Sequence, residues 1–200
     1  MLDNALRHYK DRLLDPLARP LLTVHPTLIT LLALAVGLVG LLLLTQQAYG
    51  WGLACWLLNR ILDGLDGSVA RLHRRQSDLG GYGDILADFV VYAGVPIALV
   101  VGEPSWGGYL SLAFLLASFY LNSASWLYLA AILEKRPYRA KTELTTITMP
   151  AGLIGGAETV IFYSLFILWP AYLVFLYALM AGLVLVTIGQ RLVWAVKYLK

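Results

Sequence analysis

Two hundred residues, 60% of them hydrophobic and 14% charged, with a mean hydropathy of +0.72, exclude an ordinary soluble domain and describe one integral membrane domain over residues 1–200. A single cysteine, Cys55, excludes an internal disulfide framework, and with only three scattered histidines beside it a zinc site is not expected. The net charge of +3 is modest, so its distribution matters more than its sum, and no nucleic acid is expected as a partner.

Residues 2–24 place Leu2, Leu6, Tyr9, Leu13, Leu17 and Leu21 at helical spacing, with Arg7, Lys10, Asp11 and Arg12 mostly elsewhere on the wheel. This predicts an amphipathic N-terminal segment, 1–25, lying in the membrane interface or docked on the protein's own loops, and interrupted by Pro16 and Pro20. No cleavable signal peptide is expected, because the first apolar run begins only near Thr27 and lacks a small-residue cleavage site.

The first span is expected over 27–45, opening at His25-Pro26-Thr27 and carrying Gly37 and Gly40 for close helix packing. The second runs over 51–71, and a short polar link leads to the third over 80–101. The fourth is expected over 109–133, the fifth over 151–169, and the sixth from beyond Pro170 to Lys200. Each is close to the roughly 20 residues that a bilayer core requires. The predicted fold is therefore an all-α membrane protein, a six-span bundle over 26–200 preceded by an interfacial amphipathic helix. Every Lys and Arg except Arg60 falls in the N-terminal stretch, the 71–75 link, the 135–141 connection or the C-terminal end. By the positive-inside rule these regions and both termini are cytoplasmic, in an inner or plasma membrane.

The second and third spans carry four carboxylates in otherwise apolar surroundings: Asp63, Asp66, Asp84 and Asp88. An ionised carboxylate at membrane depth needs a cation, a polar cavity or a catalytic duty. Asp63 and Asp66 are three apart and Asp84 and Asp88 four apart, so each pair projects from one face of its helix. Two such helices facing one another supply a hard, oxygen-only cluster suited to Mg²⁺ or Mn²⁺, which are often held jointly by carboxylates and substrate phosphates. Gly67 and Ala70 leave room for a neighbour, and Arg71 can grip phosphate through its fork.

The run Asp63, Asp66, Gly67, Ala70, Arg71, then Gly80, Asp84 and Asp88 after eight intervening residues, resembles the signature D-x-x-D-G-x-x-A-R…G-x-x-x-D-x-x-x-D of the CDP-alcohol phosphotransferase family, and all eight defining positions match. The resemblance implies that Asp63, Asp66 and Asp84 bind metal, that Asp88 is the base and a candidate ligand to a second ion, and that Gly67, Ala70, Arg71 and Gly80 surround a cytidine diphosphate. It implies transfer of a phosphatidyl group from CDP-diacylglycerol or a similar CDP-lipid to a small hydroxyl acceptor, with release of CMP from a cytoplasm-facing site. It also implies a homodimer. Members of the family often carry Pro-Asn and a nearby Thr at the first span. This chain has Thr27 in place of that Asn, and Thr30 remains placed to approach the nucleotide.

The acceptor is less clearly written. Asp84-Ile85-Leu86-Ala87-Asp88-Phe89 departs from the pattern of glycerol-phosphate users, while Val90-Val91-Tyr92-Ala93-Gly94 is weakly similar to serine-using relatives. Inositol and inositol phosphate stay open, because Arg139 and Lys141 lie in a basic connection that could meet an acceptor phosphate. Glu158, eight residues past Pro150, is expected at about the depth of Asp63 and so as a wall of the same cavity, or else as a residue hydrogen-bonded within the bundle or paired with Arg60. Two rival readings stand beside the transferase. One is a membrane transporter that binds divalent cations; the other is a catalytically silent lipid-binding member of the same fold.

Overall fold

The computed structural model describes residues 16, 18, 20, 24–72, 77–135 and 152–199. Among them the secondary structure is helical throughout: α1 (Pro26–Thr45), α2 (Tyr49–Leu72), α3 (Asp78–Gly102), α4 (Trp106–Glu134), α5 (Gly156–Leu168), a 3₁₀ turn (Pro170–Tyr172) and α6 (Leu173–Tyr198). Four segments are long and apolar enough to cross a membrane, namely α1, α3, α4 and the continuous stretch Pro170–Tyr198. The other two expected spans differ for separate reasons. Helix α2 is long enough at 24 residues, but Asn59, Arg60, Asp63, Asp66 and Arg71 lower its hydropathy. Helix α5 has only 13 residues, because regular helix begins at Gly156 and not near Ala151. Most of the N-terminal amphipathic segment lies outside the described residues. Ala18, within it, is fully buried beside Ile29, Leu65 and Val69, so at that point the segment is docked on α1 and α2.

Helix starts follow local chemistry. His25 caps α1 through its Nδ1, which accepts from the Thr27 N–H at 3.3 Å, and Pro26 sits at the first position, where its missing N–H costs nothing. Ser77 and Ser105 cap α3 and α4 by accepting from the N–H groups of Gly80 and Gly108.

Helix α1 is apolar on every side, as suits a span, and buries one stripe: Ile29, Ala33, Gly37, Gly40 and Leu44. That stripe packs against α2 and α3. The two glycines set the distance of approach. A Cβ on Gly40 would lie 2.9 Å from the Cβ of Cys55, and one on Gly37 would lie 2.7 Å from Val91 Cγ2. On the far side of the bundle α4 pairs with α6, and the short α5 touches α2, α3 and α6. The core between these groups is rich in aromatic residues, with Trp56, Tyr163, Phe166 and Tyr177 almost wholly buried.

Pro96 explains how α5 attaches. A proline inside α3 has no N–H to give the carbonyl of Tyr92 one turn earlier, and that carbonyl would be orphaned in an apolar interior. The Tyr163 hydroxyl of α5 donates to it at 2.6 Å, and the Tyr177 hydroxyl of α6 donates to the Pro96 carbonyl at 3.0 Å. The residues leading into α5 are tied to α6 as well: the N–H groups of Leu153 and Ile154 donate to Gln190 and Thr187.

Three outcomes follow for stability. Gly40→Leu should lower the thermal stability of the detergent-solubilised protein by about 1–3 kcal/mol, because the clash is with a Cβ that cannot swing aside. Gly50→Ala, where an added Cβ meets nothing within 4 Å, should leave it unchanged or slightly raised, and thermal unfolding of the two variants beside the parent checks both. Tyr163→Phe should cost about 1–3 kcal/mol in the same assay, by leaving the Tyr92 carbonyl without a donor.

Candidate active site

One face of α2 presents Trp56, Asn59, Asp63, Asp66 and Ala70 in turn, a helical stripe whose charged members lie between an aromatic start and a small apolar end. The first turns of α3 bring Asp84 and Asp88 alongside it. The four carboxylates form one interacting group: Asp63 feels the charges of Asp88 and Asp84, and Asp66 feels those of Asp63 and Asp88. Asp66 is buried, while Asp63, Asp84 and Asp88 are partly exposed.

A cavity of about 240 Å³ opens where α1, α2 and α3 begin or end at this side of the bundle. Six of the eight signature residues line it: Asp66, Gly67, Ala70, Arg71, Gly80 and Asp84. Thr30 joins them from α1, and its hydroxyl donates to Asp66 Oδ2 at 2.6 Å, which fixes that carboxylate's orientation. The helix caps His25 and Ser77, with Pro26, Thr27 and Gly81, complete the wall. Nothing in the protein's own packing demands glycine at 67 or 81. A Cβ on Gly67 would meet only Arg71 Nη1, at 3.4 Å, and one on Gly81 would meet nothing. Their bareness widens the cavity and does not serve a helix contact.

Asp63 and Asp88 are placed differently. They do not line the cavity but lie beside Arg60, whose Nη2 donates to Asp88 Oδ1 at 2.8 Å and whose Nη1 is 3.7 Å from Asp63 Oδ2. The signature thus divides into a cavity pair, Asp66 and Asp84, and a pair held by an arginine. Among the described residues no three His, Cys, Asp or Glu side chains already converge as a metal site. The donor set nevertheless fits Mg²⁺ or Mn²⁺ in kind. Such ions keep several waters and are bound through one or two carboxylates together with substrate phosphates, and Asp66 and Asp84 on one cavity wall meet that requirement.

The remaining expected residues are not brought to this cavity by the described structure. Glu158 lies in the first turn of α5, where its Oε2 accepts from the Gly155 N–H at 3.1 Å. The depth inferred for it assumed a helix running from Pro150, whereas helix starts at Gly156. Glu158 pairs with its own helix start, and Arg60 takes Asp63 and Asp88 as partners instead. Arg139 and Lys141 lie outside the described residues. The role of Arg60 was not foreseen in full: its i, i+3 spacing to Asp63 is readable in the sequence, but its contact with Asp88 crosses from α2 to α3.

Comparison with known proteins gives three consistent results. The CDP-alcohol phosphatidyltransferase family profile matches residues 23–189. Over 179 residues, covering 81% of this chain and 83% of the relative, the chain is 36% identical to Inner membrane protein YnjF of Escherichia coli (strain K12). Over 77 residues, covering 38% of this chain and 32% of the relative, it is 38% identical to CDP-diacylglycerol–serine O-phosphatidyltransferase of Helicobacter pylori (strain J99). The match takes in α1 to α5 and most of α6, together with every residue of the cavity wall, and on that ground the chain belongs to the CDP-alcohol phosphatidyltransferase family.

Proposed function

We propose that this protein transfers a phosphatidyl group from CDP-diacylglycerol, or a similar CDP-lipid, to the hydroxyl of a small acceptor and releases CMP. The observation that carries the proposal is that six of the eight signature positions, contributed by α2 and α3, line one cavity of a size to admit part of a nucleotide. In this reading α2 crosses the inner membrane with the four long apolar segments, the shorter α5 lies among them, and the cavity faces the cytoplasm with both chain ends. The basic residues near that side, Arg71, Lys135 and Lys197 among those described, support the orientation.

The reaction needs charge neutralisation, a proton acceptor and in-line placement. The acceptor oxygen bonds to the lipid-side phosphorus, the bond from that phosphorus to the bridging oxygen breaks, and CMP departs with that oxygen. A divalent cation, Mg²⁺ or Mn²⁺, held by Asp66 and Asp84 with Asp63 behind them, would neutralise the pyrophosphate as charge moves onto the leaving group. Thr30 keeps Asp66 turned to its task. Arg71 offers its guanidinium to the phosphates at the cavity's edge, and Gly67, Ala70 and Gly80 let the nucleotide lie close to the backbone. Asp88 takes the acceptor's proton through the oxygen that Arg60 does not hold. Glu158, Arg139 and Lys141 remain candidates for acceptor contacts. The homodimer rests on the family resemblance.

The partial likeness to serine O-phosphatidyltransferases makes serine the first acceptor to test, followed by glycerol 3-phosphate, inositol and inositol phosphate. Purified protein in detergent with Mn²⁺ or Mg²⁺ and CDP-diacylglycerol should release CMP with one of them. Folded protein that binds the donor yet releases CMP with none would leave the silent lipid-binding reading, and cation flux in sealed vesicles without donor binding would restore the transporter.

Two substitutions separate the assigned roles. Asp88→Asn should lower kcat by about 100-fold or more while leaving donor KM nearly unchanged, since proton abstraction is lost and the cavity wall is intact. Asp66→Asn should weaken the dependence on divalent cation together with turnover. Near-normal turnover in Asp88→Asn would refute its assignment as base.

A further inference from the structure

Arg60 is a charged side chain in the middle of a membrane helix, and lysines and arginines so placed ordinarily reach for the interface. This one does not. Its side chain is only 9% exposed. Nη1 donates to the Tyr92 hydroxyl at 2.8 Å, while Nε and Nη2 donate to Asn59 Oδ1 at 2.9 and 2.6 Å. Asn59 is itself fixed, its Nδ2 donating to the Ala33 carbonyl at 2.7 Å. The guanidinium also lies over two rings, 5.1 Å from the centre of Trp56 and 4.7 Å from that of Tyr92. Contacts from three helices therefore hold a cation rigidly against Asp88 and within reach of Asp63.

We propose that Arg60 is a positioning residue that acts as the fixed second cation of the site: it occupies the Asp63–Asp88 pair and holds Asp88 by one oxygen, so that the site takes a single divalent ion on its Asp66–Asp84 side. The inference rests on the transferase reading for Asp88 and for the cation. Its geometric ground is separate. An ion bridging Asp63 and Asp88 would stand within a few ångströms of a guanidinium that has no room to retreat, and like charges so close in a partly dry interior repel strongly. Asp88 Oδ1 is already engaged by the guanidinium, which fixes the carboxylate against α2.

The test counts bound Mn²⁺ by electron paramagnetic resonance, with CMP present, on the purified parent and on Arg60→Met, Arg60→Lys and Tyr92→Phe, and measures turnover with CDP-diacylglycerol in parallel. The parent and Arg60→Lys should each bind a single Mn²⁺ per chain. Arg60→Met should gain a second and lose about 10- to 100-fold in kcat, with donor KM little changed. Two ions in the parent, no second ion in a folded Arg60→Met, or full turnover in Arg60→Met would each overturn the proposal. Should Arg60→Met not fold, Tyr92→Phe decides, because it removes one anchor of the guanidinium without removing its charge. A lowered kcat with a single ion supports the proposal, and an unchanged kcat overturns it. The Mn²⁺ count needs no turnover, so a parent that binds a single ion but releases no CMP would sink the transferase reading and leave the placement of Arg60 standing.

Discussion

Carboxylates and an arginine do not sit at membrane depth unless each answers the other, and the contact between Arg60 and Asp88 is where this bundle meets that condition. Much of the local architecture serves it. Asn59 turns its carbonyl oxygen to the guanidinium and its amide to α1, Tyr92 supplies both a hydroxyl and a ring face, and Trp56 closes the other side. Because the contact joins α2 to α3 and reaches α1 through Asn59, the three helices that bound the cavity are held in register by the same group that makes the acids tolerable.

The result is a graded site. At the open end, glycines and helix caps surround space in which a phosphate chain can lie, and Arg71 supplies an exposed positive charge. Deeper, Asp66 is buried and aimed by Thr30. Beside it stand Asp63 and Asp88, partly exposed, whose charges are answered by Arg60. The proposed lipid-linked donor would suit such a gradient, its polar end entering from water and its acyl chains beside the exposed apolar residues of α1 and α3.

Sequence reading went furthest where the physics is local. The spacing of Asp63 with Asp66 and of Asp84 with Asp88 placed each pair on one helix face, and Gly37 and Gly40 were legible as points of close approach, because both depend only on helical periodicity. The all-helical class followed from hydropathy alone. What could not be read was which residue answers which across helices. The partner of Arg60 depends on how α2 and α3 pack, and Glu158 could be read as a cavity wall, as a residue bonded within the bundle or as that partner until its capping contact with Gly155 was seen. The length of α5 escaped for a related reason. An apolar run from Ala151 to Trp169 is long enough to span, but Gly152, Gly155 and Gly156 weaken its start, and side chains of α6 hold the backbone there in a non-helical path.

The backbone hydrogen bond that Pro96 removes from α3 has a mechanical meaning. A helix of 13 residues is about 20 Å long, well short of the roughly 30 Å of a bilayer's hydrocarbon layer, and a segment so short is free in principle to ride up or down as lipids thin or thicken. Tyr163 removes that freedom by hooking α5 to a carbonyl at a fixed height on α3. Any axial slip would strip a bare carbonyl into oil. The hook falls on Tyr92, the same residue whose hydroxyl steadies Arg60, so the elevation of α5 and the posture of the acids are set from one point. An enzyme built this way keeps its chemistry at a constant distance from its own frame, whatever the thickness of the membrane around it.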